Sequence, residues 1–496
     1  MSLPLNQVNI EKYVSVTSAN NLYNQYKKRY QFYLESYMGG EEYKQAGHLV
    51  RYQSETDKEY QQRLDSTPVD NHCKSVISTY ISFLFREEPE REFGTMANEP
   101  MLEDFLEDAD LEGRSLDSVM KDAAIWANVF GHSWIIVSKP NVGAVTQADE
   151  IAVGVRPYVN VISALTVTDW RWERSMTGRY QLSYLKYIEE INDTIVTYKE
   201  WTRDTITTYV VDEDEKAVIE EIVEINGLGV IPAVQVYAAR SPIRGIGISS
   251  ISDIADFQKA IFNEYSEIEQ LIRLQNHPAL VKTSDVEAAA GAGAIIQMPD
   301  NLDPGLKPYL LEPAGNGLTG IYASIAARVD AIDKMANTGS IRSTESRRMS
   351  AVAQQQEFEL LNAKLSELAD SLELAEEQMW QFYAMYQGRS WDGEIEYPDS
   401  FNIKDHSMEM DQLVKARQAA TNPKVMNIID GRIVEMLGEE EDVVFAQDML
   451  AAGQGLPAEA PFEPHIMKDP ETGKEYIART EQEHLEYAAM GYVHED

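Results

Sequence analysis

The sequence is poor in the residues that usually announce chemistry. Its 496 residues include a single cysteine, Cys73, so no disulfide can form within the chain and a reducing compartment is expected. The eight histidines are scattered. No two stand at the H-x-x-x-H spacing that sets two imidazoles on one helix face, which argues against a histidine metal site. No run of about 18 apolar residues lacks a charge, so no membrane span is expected. The Met1 end, MSLPLNQVNIEKY, has neither the basic nor the apolar region of a secretory leader. Basic residues are scarce: 43 Lys and Arg face 82 Asp and Glu, for a formal net charge of -39. A surface of that sign repels nucleic acid on average and attracts cations or basic partners, or else serves solubility alone.

Enzyme signatures are also missing. The Gly473-Lys474 pair lacks the upstream glycine and the following Ser or Thr of a phosphate loop. There is no G-x-G-x-x-G after a strand and no G-x-S-x-G elbow. Carboxylates are spread so evenly that no pair stands out for glycoside chemistry. Cys73 beside His72 falls in an amphipathic helix, where a buried, satisfied pair is expected. The run Glu439, Glu440, Glu441, Asp442 reads as a solvated helix face. No cofactor and no catalytic residue is expected, and the chain reads as a non-enzyme.

What is present is a sequence of periodicities that implies an α+β fold of several domains. Tyr23, Tyr26, Tyr30, Tyr33 and Tyr37 recur at helical spacing, as on a helix that packs its aromatics on the body. Helices are expected at Ser54–Leu64, Asn71–Phe85 and within 99–130, with Ser115 as an N-cap and Gly131 as a stop. Glu87–Glu92 reads as an acidic connector. From Ser133 the period changes to two. Seven strand candidates, from SWIIVSK to AVIEEIVEI, suggest one mostly antiparallel meander over about 133–225. GLGVIPAVQVY then adds a turn and a strand. Ser249 or Ser250 caps a helix whose face holds Ile251, Ile254, Phe257, Ile261, Tyr265, Ile268 and Ile272. Residues 279–318 read as a small β insert with AIIQM and KPYLLE as its strands. Residues 392–450 suggest a β patch and two short helices. The segment 452–496, an arm or a small ordered cap, closes an acidic end.

The chain is organised around Ile321–Tyr386: a helix, a polar loop, then a very long helix. Phe358, Leu361, Leu365, Leu368, Leu372, Ala375, Met379, Phe382 and Tyr386 form a continuous apolar seam. A helix from Ala351 to Gln387 would run roughly 55 Å at 1.5 Å per residue. It suits a strut that needs a partner surface. The loop from Asn337 to Ser350 sets Arg342, Arg347 and Arg348 against Glu345, a local positive charge in an acidic chain. It is either an exposed turn or a mobile loop facing a polyanion.

Four stretches in this order resemble the portal proteins of tailed bacteriophages. They are EYQQRLDSTPVDNHCKSVISTYISFLFREEPE, AIWANVFGHSWIIV, GLGVIPAVQVY with its following helix, and the helices around Asn337–Ser350 with FELLNAKLSELADSLELAEEQM. The resemblance covers most of residues 50–390.

The resemblance implies a multi-domain portal fold with long helices, an antiparallel wing sheet and a small β clip. Residues 1–249 would form most of the wing, 250–275 the first stem helix, 276–318 the clip and 319–336 the second stem helix. Residues 337–350 would be the tunnel loop, 351–404 the long wing helix and its return, and 405–496 the crown and C-terminal tail. The implied DNA-facing residues are Asn337, Ser340, Arg342, Ser343, Thr344, Arg347 and Arg348. The implied partners are other copies in a homo-oligomeric ring of about twelve, the terminase large subunit, a head-tail adaptor, and major capsid and scaffolding proteins. Double-stranded DNA would pass through without sequence specificity. The implied place is the virion's portal vertex, after assembly in the host cytoplasm, with roles in head assembly, genome packaging and DNA ejection. A different virion connector or minor head protein remains an alternative, and a carboxylate-based hydrolase a further one.

Overall fold

The computed structural model describes residues 5–141, 147–276, 279–281, 309–311, 316–342 and 351–401, with short stretches at 413, 415–417, 424–426, 428–429, 431–432, 465–468, 475–478 and 493–494. The chain divides into two compact units, Met1–Asn402 and Ile403–Asp496. Helices are combined with antiparallel sheets, so the fold is α+β.

The first unit opens with α1 (Leu5–Thr17), α2 (Asn21–Met38) and α3 (Gly40–Gln45). The Asn20 side chain accepts the Leu22 N–H at the start of α2 and satisfies one of the donors that a helix leaves free. Along α2, Tyr23 and Tyr30 are buried and Tyr26, Tyr33 and Tyr37 pack half-buried on the core, so the tyrosine ladder is a packing face. Helix α4 (Asp57–Ser66) starts later than Ser54, because Thr56 and Glu59 form a reciprocal capping box. In α5 (His72–Leu84), Asn71 accepts the Lys74 N–H at 2.8 Å, and Cys73, Val76, Ile77, Tyr80, Ile81 and Leu84 are buried.

The acidic connector holds a short strand, β1 (Glu90–Glu92), that pairs antiparallel with Glu394–Glu396. Two helices follow, α6 (Leu102–Glu107) and α7 (Leu116–Phe130). Ser115 accepts from Ser118 N at the start of α7, and Gly131 ends it in the left-handed region at φ 93°.

The strand region comprises β2 (His132–Ser138), then α8 (Gln147–Val153), β3 (Tyr158–Ser163), β4 (Val167–Arg174) and β5 (Tyr180–Asn192). It continues with β6 (Ile195–Thr202), β7 (Thr205–Asp212), β8 (Ala217–Ile225) and β9 (Ala233–Tyr237). All seven strand candidates form, but not as one meander. Strands β4 to β8 make a five-stranded antiparallel sheet in chain order, while β2 is the centre of a separate sheet ordered β3-β2-β9. The reason lies in β2 itself. Every residue of it is buried: Ile135 and Val137 pack with α7 and a later long helix, and Trp134 and Ile136 pack with Trp170 and Leu185 of β4 and β5. A strand covered on both faces reads as a continuous apolar run rather than an alternating one. The turn between α7 and β2 and the segment after β9 approach tightly, where Gly247 meets Gly131 so closely that a Cβ on Gly247 would stand 1.9 Å from the Gly131 oxygen.

Next come α9 (Ile254–Asn276), β10 (Ala279–Val281), β11 (Tyr309–Leu311), α10 (Asn316–Met335), α11 (Gly339–Arg342), α12 (Ala351–Tyr386) and β12 (Glu394–Glu396). The turn Ile251–Asp253 precedes α9, so the helix begins later than a cap at Ser249 or Ser250 implies; the Ser249 hydroxyl accepts the Ile251 N–H instead. The expected apolar face is the core face: Ile251, Ile254, Ile261 and Ile268 are buried. Gln258 is buried between α2 and α5, donating to the Ser36 carbonyl and accepting from Cys73 N. Arg63 of α4 reaches the Ser266 hydroxyl at 2.8 Å while both Glu55 oxygens hold its other nitrogens.

Helices α9 and α10 are the arms of a hairpin. Glu264 accepts from Ser324 at 2.7 Å and from Arg328 at 3.0 Å, and β10 pairs with β11 where the arms meet the insert. The partner of KPYLLE is therefore Ala279–Val281; AIIQM lies outside the described residues.

Helix α12 is 36 residues long, as the seam predicts. Its seam does not wait for another molecule. Leu361, Leu365, Leu368, Leu372, Ala375 and Met379 are buried within this chain, against α5, α7, β2, β9 and β12. Trp380, Tyr383, Ala384 and Glu376 are buried too, so the covered face is wider than the seam. Spacing alone marks an apolar stripe and does not say what covers it.

In the second unit, β13 (His465–Lys468), β14 (Glu475–Ala478) and β15 (Val493–His494) form a three-stranded antiparallel sheet ordered β14-β13-β15. Part of the 452–496 segment is thus ordered sheet.

Candidate functional site

The segment that joins the α9–α10 hairpin to α12 is where the sequence places its candidate site. It begins with a hard stop. The Tyr80 hydroxyl of α5 donates to the Ala336 carbonyl at 2.6 Å, and Asn337 turns into the left-handed region at φ 56°. Asparagine is among the few residues that adopt that region at low cost. The chain then restarts as α11, with Thr338 N bonded to the Asp333 carbonyl and Thr338 fully buried.

Two helix ends meet at this turn, and a polar relay fastens them. Arg342 Nη1 lies 3.0 Å from Asp333 Oδ1, and Arg342 Nη2 donates to His72 Nδ1 at 3.1 Å. His72 Nε2 lies 3.1 Å from Asp70 Oδ2. Because Nδ1 accepts, the imidazole proton sits on Nε2 and faces Asp70. The His72 hydrogen bond holds the Asp70 carboxyl below its usual range against the cost of burial, with Arg342 and the Tyr265 hydroxyl adding to it. Asp333 shows the opposite balance: burial raises its carboxyl above the usual value, and the nearby Arg342 only partly offsets this.

Of the seven expected DNA-facing residues, three are described. Asn337 is the half-buried turn residue, and Ser340 lies in α11 by its backbone. Arg342 is turned inward: its side chain is 14% exposed and engaged by Asp333 and His72. Ser343, Thr344, Arg347 and Arg348 lie outside the described residues. Of the relay residues, the sequence marks His72 only as the neighbour of Cys73, and it gives Asp70 and Asp333 no role in a site. A trace was present, since Asp333 stands nine residues before Arg342 across a turn, but His72 of α5 lies 270 residues away.

The expected inert reading of His72 and Cys73 fits the geometry. Cys73 is fully buried, and burial pushes its thiol pKa up, away from the nucleophilic thiolate. Among the described residues no group of three or more His, Cys, Asp or Glu side chains is placed to hold a metal ion, and no helix is long and apolar enough to cross a membrane.

The first unit is thus an α+β body bearing a helical hairpin, a capped turn and a long buried helix. No protein-family model matches the chain, and no curated protein matches it. Among solved structures, the chain is similar to one described as "Neck of empty GTA particle computed with C6 symmetry", at 12% identity and a TM-score of 0.44, over 79% of this chain and 99% of that one. It is also similar to a chain of "Neck of native GTA particle computed with C12 symmetry", at 11% identity and a TM-score of 0.41, over 72% and 89% respectively.

Proposed function

We infer that the chain is a subunit of a ring-shaped head-to-tail connector of a tailed phage or phage-like particle and, within that class, a portal protein. The observation that carries the reading is one run of structure. The hairpin α9–α10 is clasped by β10 and β11 around an insert, and the capped turn at Asn337 and the 36-residue α12 follow at once. That is the order which the resemblance to portals implies for stem, clip, stem, tunnel loop and wing helix. In this reading the ring nucleates head assembly, docks the packaging motor and conducts DNA. The chain makes and breaks no bond.

Charge supports the same reading. A formal net charge of -39 keeps phosphate-dominated, salt-dependent binding weak, as a conduit requires. The basic residues of the loop offer brief contact against an acidic wall. Because Arg342 is held by Asp333, the contact is assigned to Arg347 and Arg348.

Negative-stain imaging of the purified protein tests the class: a channelled ring of about twelve copies is expected, and a monomer or a linear assembly overturns it. Packaging assays with Arg347→Ala and Arg348→Ala test the loop. Reduced packaging or retention with intact rings is expected; wild-type packaging and retention overturn the loop's role.

A further inference from the structure

Helix α12 stands between two concavities of unlike charge. On one side Ser371, Leu374, Gln378 and Phe382 form a wall of a cavity of about 290 Å³ shared with β4, β5, β9 and the segment after it. The cavity mouth is cationic. Arg203, Arg240 and Arg244 line it, and the Tyr180 ring lies under two guanidinium groups, Arg244 at 3.6 Å and Arg174 at 4.6 Å. Arg203 has a distant carboxylate, Glu173 at 3.7 Å. Among the described residues Arg174, Arg240 and Arg244 form no ion pair. The cavity also holds an unanswered donor: the Trp172 indole N–H is buried and has no hydrogen-bond partner. In a chain with a two-fold excess of acids, arginines gathered with a single distant carboxylate around a free N–H make a receptor for an anion.

On another side of the same helix, Glu373 and Glu377 line a second concavity of about 440 Å³. Its remaining rim is Glu87, Glu90, Glu394, Glu396 and their neighbours on β1 and β12. Burial raises the Glu373 carboxyl above its usual value, and Glu377, Asp370 and Glu396 raise it further. At 100° per residue, the side facing the arginines and the side facing the glutamates are roughly 140° apart around α12. A closed ring of identical subunits uses heterologous contacts, in which two unlike patches on different sides of one chain meet. These two patches answer that requirement in position and in charge.

We propose that the arginine cavity of one copy receives the glutamate ledge of the next, with carboxylates of the β12 strand entering between Arg240 and Arg244. The assignment rests on the connector reading and adds to it which surfaces close the ring. Planar guanidinium groups favour bidentate capture of carboxylates, and that geometry fixes the register between copies. The ledge's mutual repulsion is relieved by the same contact, so each patch supplies what the other lacks.

A charge swap tests it. The side chains of Arg240, Arg244, Glu394 and Glu396 are exposed, so reversing them leaves the core alone. Ring formation is read by negative-stain imaging and analytical ultracentrifugation of the full chain. R240E/R244E is expected to lose the ring, and so is E394K/E396K. The chain carrying all four substitutions is expected to regain it, since the signs are again complementary. Wild-type rings from R240E/R244E, or no recovery in the four-fold variant, overturn the inference while leaving the connector reading intact. Absence of a ring in the wild-type chain overturns both.

Discussion

Arg342 and Asp333 form a mostly buried ion pair across the Asn337 turn, 3.0 Å from Nη1 to Oδ1, with side-chain exposures of 14% and 5%. The pair makes the end of α10 and the short α11 one mechanical piece. Arg342→Ala leaves Asp333 buried without its cation, and removing one partner of a buried pair costs about 3 kcal/mol or more. A lowered urea midpoint is expected. The double variant Arg342→Ala with Asp333→Asn is expected to recover most of the loss, because the stranded charge is gone. If the single variant unfolds at the wild-type midpoint, the pair contributes nothing.

Glu376 is the second buried charge to test. It is fully buried on α12, accepts from Arg91 Nε and the Tyr397 hydroxyl at 2.6 Å each, and also accepts from the Trp380 indole. It therefore ties the β1–β12 pair to the long helix. Glu376→Ala is expected to cost about 3 kcal/mol, because Arg91 keeps only the half-exposed Asp117, at 2.7 Å, as a counter-charge. Glu376→Gln keeps one acceptor oxygen for the Trp380 indole and offers an amide N–H to the Tyr397 oxygen, so it is expected to cost less. Equal melting shifts for the two variants would remove the charge argument.

His132 predicts a pH dependence. Burial pushes its pKa from 6.5 down to about 3, and Nδ1 accepts the Gly247 N–H. A base whose folded pKa is depressed contributes stability above its unfolded pKa and loses it as pH falls toward the folded one. The window is therefore about pH 6.5 down to 3, with roughly 3 kcal/mol lost between pH 7 and pH 4. His132→Gln, which keeps an acceptor and cannot charge, is expected to flatten that slope in denaturant titrations. An unchanged slope would place the dependence on carboxylates instead.

Gly247→Ala tests the close approach between the α7–β2 turn and the segment after β9. The added methyl would meet backbone at 1.9 Å, and backbone cannot step aside as a flexible side chain can. A loss of about 3 kcal/mol or more is expected. A thermal midpoint within a degree or two of wild type would show that the contact relaxes.

Much of this architecture was legible in the sequence, in proportion to how local its causes are. The α12 seam, the Ser115 cap, the Gly131 stop and the seven strands follow from periodicity and turn chemistry within a few residues. The failures are non-local. Nothing near Glu90 announces that β1 pairs with Glu394–Glu396, three hundred residues on. The split of the strands into two sheets depends on what covers β2. The seam looked like a surface in need of another molecule, because burial inside the same chain leaves the same stripe. Arg342 shows this most sharply. As a residue it is a cation in a polar loop; Asp333 and His72 make it a fastener.

The clasp of β10 and β11 has a practical corollary. Val281 and Tyr309 are register partners, so whatever chain lies between them leaves and returns within one inter-strand spacing, about 5 Å. Lengthening such a loop is cheap, about 0.6 kcal/mol for each doubling. The supporting hairpin is indifferent to the size of its cargo. A foreign sequence spliced between Val281 and Tyr309 is therefore expected to leave α9, α10 and the Glu264 bridge as they are.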